Sequence, residues 1–349
     1  MKLVDSLFDG PLDIVGDIHG EIDALRQLLA GLGYDEAGNH PDGRRLVFVG
    51  DLVDRGPDSP AVLRAVRDLV NNGNAQCILG NHELNLLRDD EKHGNSWWTA
   101  PEKETEHEVA RIDDVEKTAM RDWLETLPLV LERDDLRVVH ACWNDAAVET
   151  LRALNGPDYR VADLYDEYQR ALYDEMAELR FMNQVRKEWA QFMPKLEDPD
   201  WDAKFMPFKA ELDRRSQMDN PISVVTSGEE ETADKPFWAG GRWRMVSRVK
   251  WWERYDDEQA VVFGHYWRRF KDAAIILSDK YGPDLFDGVE PHHWMGQRNN
   301  VYCVDFSVGA RASQRAAGES EQVCSLAAVR WPEGEVVHDD GRRFMLEDT

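Results

Sequence analysis

Five short apolar runs in this chain each end in a cluster of polar residues, and four of them turn on a glycine. Leu12-Asp13-Ile14-Val15 leads into Gly16-Asp17-Ile18-His19-Gly20, and Leu46-Val47-Phe48-Val49 into Gly50-Asp51-Leu52-Val53-Asp54-Arg55-Gly56. Cys77-Ile78-Leu79 leads into Gly80-Asn81-His82-Glu83. Leu136-Arg137-Val138-Val139 ends on His140, and Ala260-Val261-Val262-Phe263 on Gly264-His265. Short, nearly continuous, β-branched runs of this kind are strands buried on both faces. Between them, residues 21–32 carry Ile22, Leu25, Leu28, Leu29 and Leu32 at helical spacing, with Gly33 as the stop. Ser59 reads as an N-cap followed by Pro60 in the first turn of a helix ending near Gly73, and residues 111–127 as a helix stopped before Pro128. Alternating strands and helices predict an α/β core.

The carboxyl ends of parallel strands lie along one edge of a sheet. Asp17, His19, Asp51, Asn81, His82, His140 and His265 can therefore converge there. Singly they have plain readings: Asp17 caps a helix, Asn81 sits in a turn, His265 is a core histidine. Together, at five strand ends, they form an oxygen and nitrogen donor set suited to Mn, Fe, Zn or Mg. Two such ions about 3.5–4 Å apart, sharing one carboxylate, make the clamp used on phosphate esters. A glycine ahead of a ligand lets backbone and metal approach closely.

These segments resemble the calcineurin-like metallophosphoesterases. The Val53-Asp54-Arg55-Gly56 segment points to their phosphoprotein-phosphatase branch, which includes Ser/Thr phosphatases and bacterial diadenosine tetraphosphate hydrolases. The resemblance covers residues 12–90 and returns around 136–143, 260–268 and 301–309. It implies a β-sandwich flanked by helices in place of one doubly wound sheet. It implies two divalent ions, manganese first, on Asp17 and His19, on Asp51 as the bridge, and on Asn81, His140 and His265. It also implies in-line attack on phosphorus by a hydroxide bridging the two ions. His82 is then the general acid, oriented by Asp54, and Arg55 grips the phosphate. The branch supplies a second arginine ahead of the last histidine. Arg242, Arg244 and Arg248 are the candidates, and Arg242 is preferred because Gly240 and Gly241 suit a loop over the site. Ala141-Cys142-Trp143 departs from the glycines the branch often carries after its fourth-motif histidine.

The rest of the chain is read from composition and pattern. Residues 144–240 look like a helical insertion or cap within a single domain spanning 1–349, with one long or two shorter helices over 165–192. Residues 227–234 look like a mobile acidic loop. Val301-Tyr302-Cys303-Val304-Asp305-Phe306 and Ser325-Leu326-Ala327-Ala328-Val329 look like strands of a second sheet, and the tail after Pro332 is weakly patterned. The chain has 42 Lys+Arg against 68 Asp+Glu, a net charge of −26. That argues against a nucleic-acid or anionic-membrane partner, while leaving room for a small anion held by a few local arginines. No apolar run approaches a membrane span, and Asp5, Asp9 and Asp13 interrupt the start of the chain, so a cytoplasmic protein is expected. Of the four cysteines none forms a CxxC pair, and all four, Cys142 included, read as packing residues.

These features predict a dinuclear-metal phosphoesterase acting on phosphomonoesters or phosphoproteins, with dinucleoside polyphosphate hydrolysis as the alternative. A binding module on a degenerate scaffold would lack ligands, and none is missing. The tryptophans near the motifs (Trp97, Trp98, Trp143, Trp267 and the group Trp238, Trp243, Trp251, Trp252) either pack the core or stack on a flat substrate group.

Overall fold

The computed structural model describes residues 2–92, 94–99, 111–154, 156, 159–268, 284–318 and 324–348. In chain order the strands are β1 (Val4–Ser6), β2 (Leu12–Val15), β3 (Arg45–Phe48), β4 (Ala75–Cys77), β5 (Val130–Glu132), β6 (Leu136–Val139), β7 (Glu230–Ala239), β8 (Arg242–Arg248), β9 (Ala260–Phe263), β10 (Val301–Cys303), β11 (Ala327–Trp331), β12 (Glu335–His338) and β13 (Arg343–Met345). They form a five-stranded sheet, order β1-β5-β6-β9-β10, a six-stranded sheet, order β13-β12-β11-β2-β3-β4, and the hairpin β7-β8. In the larger sheet β2, β3 and β4 run parallel, as do β6, β9 and β10 in the smaller one. Four of the five expected runs form strands, and of Cys77-Ile78-Leu79 only Cys77 lies in β4, which starts two residues earlier at Ala75; the parallel strands' carboxyl ends point the same way within each sheet.

The period-two alternation of side chains explains the layers. Leu12, Ile14, Val47 and Val49 face the other sheet and meet Leu136, Val138, Val262 and Tyr302. Val15, Leu46 and Phe48 face outward, toward helices α1 (Ile22–Leu32) and α2 (Ser59–Asn71). Each such side chain taken out of water contributes roughly 1.5–3 kcal/mol. The architecture is a β-sandwich flanked by helices, as the family resemblance implied.

Local chemistry sets the helix ends. α1 stops at Gly33, whose φ of 98° is left-handed. The N-cap of α2 is Asp58, which accepts the Ala61 amide; Ser59 is already inside the helix, and its hydroxyl accepts the Asp54 amide at 2.8 Å. After β4 come α3 (Asn81–Leu87), α4 (Ser96–Thr99) and α5 (Asp114–Leu124). The last is shorter than residues 111–127, because Asp113 caps it by accepting the Glu116 amide.

The segment 144–240 is not uniform. It contains α6 (Asp145–Ala153), α7 (Val161–Glu178), α8 (Phe181–Phe192), α9 (Pro207–Met218) and α10 (Pro221–Ser227), then β7. Arg180, at φ 55°, breaks α7 from α8. Val148, Leu151, Val161, Leu164, Ile222 and Val225 join the main core, so α6, α10 and the start of α7 belong to it. Leu196, Met206, Ala210 and Met245 form a separate cluster under the hairpin. The expected mobile loop at 227–234 is instead the end of α10 and the start of β7, held by Glu230 pairing with Arg248 and by the Val249 amide donating to the Glu229 carbonyl. The two late strands also part company: β10 pairs with β9, and β11 pairs with β2. The tail after Pro332 forms β12 and β13. Among the described residues no helix is long and apolar enough to cross a membrane.

Asp13 is fully buried inside β2, four residues before Asp17. It accepts from Arg44 Nη2 at 2.8 Å, Arg330 Nε at 3.3 Å and the Tyr34 hydroxyl at 2.7 Å. Removing Arg44 would strand most of that charge. Arg44→Ala is therefore expected to cost about 3 kcal/mol, the usual scale for breaking a buried pair, measured as a lower urea midpoint at unchanged m-value.

Candidate metal centre

Asp51 lies at the middle of the strand-end cluster, with both carboxylate oxygens engaged. Oδ2 is 3.8 Å from His19 Nε2 and 3.9 Å from His82 Nε2, while Oδ1 is 3.4 Å from His140 Nε2 and accepts the His82 amide at 3.0 Å. Two buried donor groups share it: His19, Asp51 and His82 on one side, Asp51, His140 and His265 on the other. Asp17 and Asn81 complete the ring. Asp17 Oδ2 accepts the His265 amide at 3.0 Å, and Asn81 Oδ1 lies 3.3 Å from His140 Nε2.

The histidines are aimed by their outer nitrogens. His19 Nδ1 donates to the Val53 carbonyl at 2.9 Å and His140 Nδ1 to the Val49 carbonyl at 2.7 Å. Both acceptors flank the turn after β3, so each Nε2 is turned inward, the arrangement that orients metal-binding imidazoles. His265 Nε2 is buried with no hydrogen-bond partner among the described residues. Glycines keep the space open: a Cβ on Gly80 would lie 2.2 Å from Asp51 Oδ1, and one on Gly264 would lie 2.0 Å from Asp17 Oδ1. Among the described residues, seven of the ten non-glycine residues with positive φ are here: His19, Asp51, Asp54, Arg55, His265, Trp267 and Ser307. Such strain persists where surrounding contacts over-determine it, and it collects at functional sites.

Charge balance tests whether cations fit. Asp17, Asp51, Asp54, Glu83 and Asp305 are all buried in this region. Burial, and next the Asp305 carboxylate, push Asp17 well above the usual carboxylate range. Burial, and then Asp51, push Glu83 up to about 7. Burial opposes protonation of His140, but Asp51 and Asp17 outweigh it and push His140 up to about 10. Burial, joined by Arg55, holds His19 well below the usual imidazole range, and burial with Arg248 does the same to His265. Imidazoles among crowded carboxylates are the donor set a pair of divalent cations takes, the cation displacing the proton that His140 otherwise holds. The residues present fit that group.

Beside this ring sits an ordered dyad. His82 Nδ1 is 2.6 Å from Asp54 Oδ2. Asp54 is held in turn by the Trp97 indole N–H on Oδ1 at 2.8 Å. Burial disfavours the charged form of His82, yet Asp51 and the Asp54 hydrogen bond hold it above the usual imidazole range. Arg55 donates to His19 Nε2 at 2.9 Å and to His82 Nε2 at 3.1 Å, with its guanidinium 4.9 Å from the Trp267 ring centroid.

The structure thus gathers Asp17, His19, Asp51, Asp54, Arg55, Asn81, His82, His140 and His265 at one edge. Arg242 is not with them. It lies at the tip of the β7-β8 hairpin, whereas Arg248 lies at the base, its guanidinium 5.4 Å from the Tyr266 ring next to His265. At about 3.3 Å per strand residue the two are about 20 Å apart. The sequence gives no site role to Glu83 or Asp305, and leaves Trp97 between core packing and substrate stacking, whereas its indole N–H holds Asp54. Glu83 accepts the amides of Asp51, Leu52 and Gly80, and its signal was its place at the third position of a helix. Asp305 follows an apolar run, the same strand-end rule that found the others. Trp97, Trp98, Trp251 and Trp252 are fully buried and pack the core.

The calcineurin-like phosphoesterase family model matches residues 10–267. Among curated proteins, an asymmetrical bis(5′-nucleosyl)-tetraphosphatase of Halalkalibacterium halodurans is 48% identical over 79 residues, 22% of this chain and 32% of the relative. A symmetrical bis(5′-nucleosyl)-tetraphosphatase of a Marinomonas species is 32% identical over 166 residues, 46% of this chain and 55% of the relative. The chain thus spans about a third to a half of the length of these relatives. A cold-active protein-tyrosine phosphatase from a Shewanella species superposes with a TM-score of 0.48 at 16% identity, covering 98% of this chain and 82% of that one.

Gly80→Ala is expected to fold but to weaken divalent-metal binding by about 10–100-fold, the scale seen when a ligand's supporting shell is disturbed, as read by titration calorimetry.

Proposed function

The chain belongs to the calcineurin-like phosphoesterase family, and from that premise we propose that it is a metal-dependent hydrolase of dinucleoside polyphosphates. The observation that carries the catalytic part is the Asp51 carboxylate, shared between two histidine groups with the His82–Asp54 dyad beside it. The relatives' names support the substrate class and favour it over the phosphomonoester and phosphoprotein expectation.

Asp17, His19, Asp51, Asn81, His140 and His265 would hold two divalent cations. Such a pair acidifies water and offsets charge on phosphate oxygens. Arg55 and Arg248 hold the phosphate from two sides. A phosphate oxygen is a stronger acceptor for Arg55 than two neutral ring nitrogens are. Once Arg55 turns to substrate, His82 Nε2 is free to carry a proton. Asp54 keeps the ring in place and stabilises its charged form. As the bond from phosphorus to the leaving oxygen breaks, His82 gives that proton to the leaving oxygen. The water that adds to phosphorus returns a proton to the imidazole. Trp97 stabilises the dyad by fixing the second Asp54 oxygen.

Chelated protein is expected to lose hydrolysis of diadenosine tetraphosphate and to recover it with Mn. Under the same conditions a phosphoserine peptide should be turned over at least about tenfold less efficiently, a difference in kcat/KM worth about 1.4 kcal/mol. A preference for the peptide, or full activity with no metal by elemental analysis, would overturn the proposal.

His82→Asn should retain metal and slow turnover of phenyl phosphate by about 10²–10⁴. The loss should be smaller for p-nitrophenyl phosphate and for diadenosine tetraphosphate, whose leaving groups depart as stable anions. Equal slowing for good and poor leaving groups would remove His82 from the acid role.

A further inference from the structure

Two adjacent histidines and a glutamate from the chain's tail meet at a place the Asp51 centre does not use. His292 and His293 precede β10, and Glu347 lies two residues beyond β13. Backbone hydrogen bonds bring them together. The Glu347 amide donates to the His292 carbonyl at 2.8 Å, and the Trp294 amide donates to the Glu347 carbonyl at 3.0 Å. His293 and Glu347 are thereby paired in parallel register, which sets their side chains beside each other. The His292 and His293 rings meet edge-on, with centroids 4.4 Å apart. One nitrogen from each ring and one Glu347 oxygen all lie within 4.8 Å of one another.

This cluster is at the other end of the strands from Asp51. Glu347 follows Met345, which pairs with Glu335; Glu335 pairs with Arg330, and Arg330 with Asp13 near the start of β2. Met295 pairs with Val301 at the start of β10, whereas Asp305 lies beyond its end. The histidine loop is fixed from behind. Arg268 Nη2 donates to the Glu290 carbonyl at 2.6 Å, and the Tyr302 hydroxyl donates to the Pro291 carbonyl at 2.7 Å. The tail is fixed by the Leu346 amide, which donates to the Gly334 carbonyl at 2.8 Å. The backbone is thus set on both sides, while the three side chains make no hydrogen bond or ion pair among the described residues. They converge without bonding one another, and a cation between them would bond all three.

The donor types select the cation. Two imidazole nitrogens and one carboxylate oxygen are zinc's donors, and three protein ligands leave a fourth position for water. Magnesium and calcium favour oxygen alone. A net charge of −26 raises the concentration of any cation near the surface. We propose that His292, His293 and Glu347 bind one zinc ion, which clips the end of the chain to the loop ahead of β10. The ion is structural and separate from those at the Asp51 centre. Because it binds the closed clip and not the open tail, it stabilises the clip by mass action.

The test uses the full chain with no histidine tag. Bound zinc is counted by elemental analysis after dialysis against about 1 µM buffered free zinc. Wild type should hold one zinc per chain more than H292Q/H293Q, a difference that does not depend on how many ions the Asp51 centre takes. E347Q removes a ligand from an exposed tail residue and should weaken the extra zinc by no less than a lost supporting partner does, about 10–100-fold. Zinc should slow hydrogen exchange at the Glu347 and Trp294 amides by about tenfold in wild type and leave it unchanged in H292Q/H293Q. The kcat/KM for p-nitrophenyl phosphate should stay within about twofold across the three proteins, as expected of distant sites. Equal zinc counts in wild type and H292Q/H293Q, full zinc affinity in E347Q, or bound zinc that leaves both amides as fast as before would each overturn the site. Tighter binding of magnesium than of zinc by these residues would overturn the choice of ion.

Discussion

The Glu83 carboxylate ties two strand ends together, and the metal centre is built on that tie. One oxygen accepts the Asp51 and Gly80 amides and the other accepts the Leu52 amide. The turn after β3 is thereby locked to the turn after β4 and to the start of α3. Asp51 lies on the first turn, and Asn81 and His82 on the second. The Val49 and Val53 carbonyls on either side of the first turn then aim His140 and His19. A left-handed Asp51 at φ 50° is tolerated because three hydrogen bonds hold its neighbourhood in place. Loss of Glu83 would release strain and ligand geometry together.

Electrostatics follows from that geometry. Strand ends that converge bring Asp17, Asp51, Glu83 and Asp305 into one buried space, and buried carboxylates repel unless cations join them. Arg55 is one cation, but it bonds ring nitrogens and not the carboxylates. The elevated His140 and the depressed His19 and His265 are two faces of one imbalance. At His140 the crowded carboxylates outweigh burial and hold a proton on the ring; at His19 and His265 burial, joined by a nearby arginine, drives it off. Divalent ions satisfy the carboxylates without protonating the ligands. With two divalent ions on these residues, the local field at the strand edge of an acidic chain would be set by cations and would suit an anion.

The strand-end residues were legible in the sequence because ligand chemistry there interrupts apolar runs that a buried strand must otherwise keep. Asp17, Asp51, His140 and His265 each break such a run, and the structure gathers all four. The pairing of strands was less legible. The runs at 301–306 and 325–329 are equally apolar, and which neighbour each joins is decided by contacts far apart in sequence. β8 was hidden for another reason. Its alternation of arginine with Trp243, Met245 and Ser247 has no apolar run, since one face meets water and the other a small satellite cluster. A preference for flanking glycines therefore picked Arg242, at the turn, over Arg248, at the base. Ser59 lost its expected cap role because Asp58 precedes it and the Ser59 hydroxyl holds Asp54 instead.

The segment between β6 and β9 is wired into the centre through the residues that follow His140. The Ala141 amide donates to the Val225 carbonyl of α10, and the Trp251 indole donates to the Ala141 carbonyl at 2.9 Å. Glu229, buried at the foot of the hairpin, accepts from Asn144 Nδ2 at 2.7 Å and pairs with Arg254. Tyr266 fills the space above Gly228, where a Cβ would meet its hydroxyl oxygen at 1.9 Å. Glycine at 228 thus lets the hairpin foot close against the residue next to His265. The hairpin cannot shift its base without moving the backbone that carries two candidate ligands. Near its tip, Trp243 donates its amide to the Leu196 carbonyl and its indole N–H to the Asp198 carbonyl at 2.9 Å, beside the small cluster. The contacts that fix the hairpin base are thus separate from those that hold its tip, and only the base is joined to the backbone of the candidate ligands.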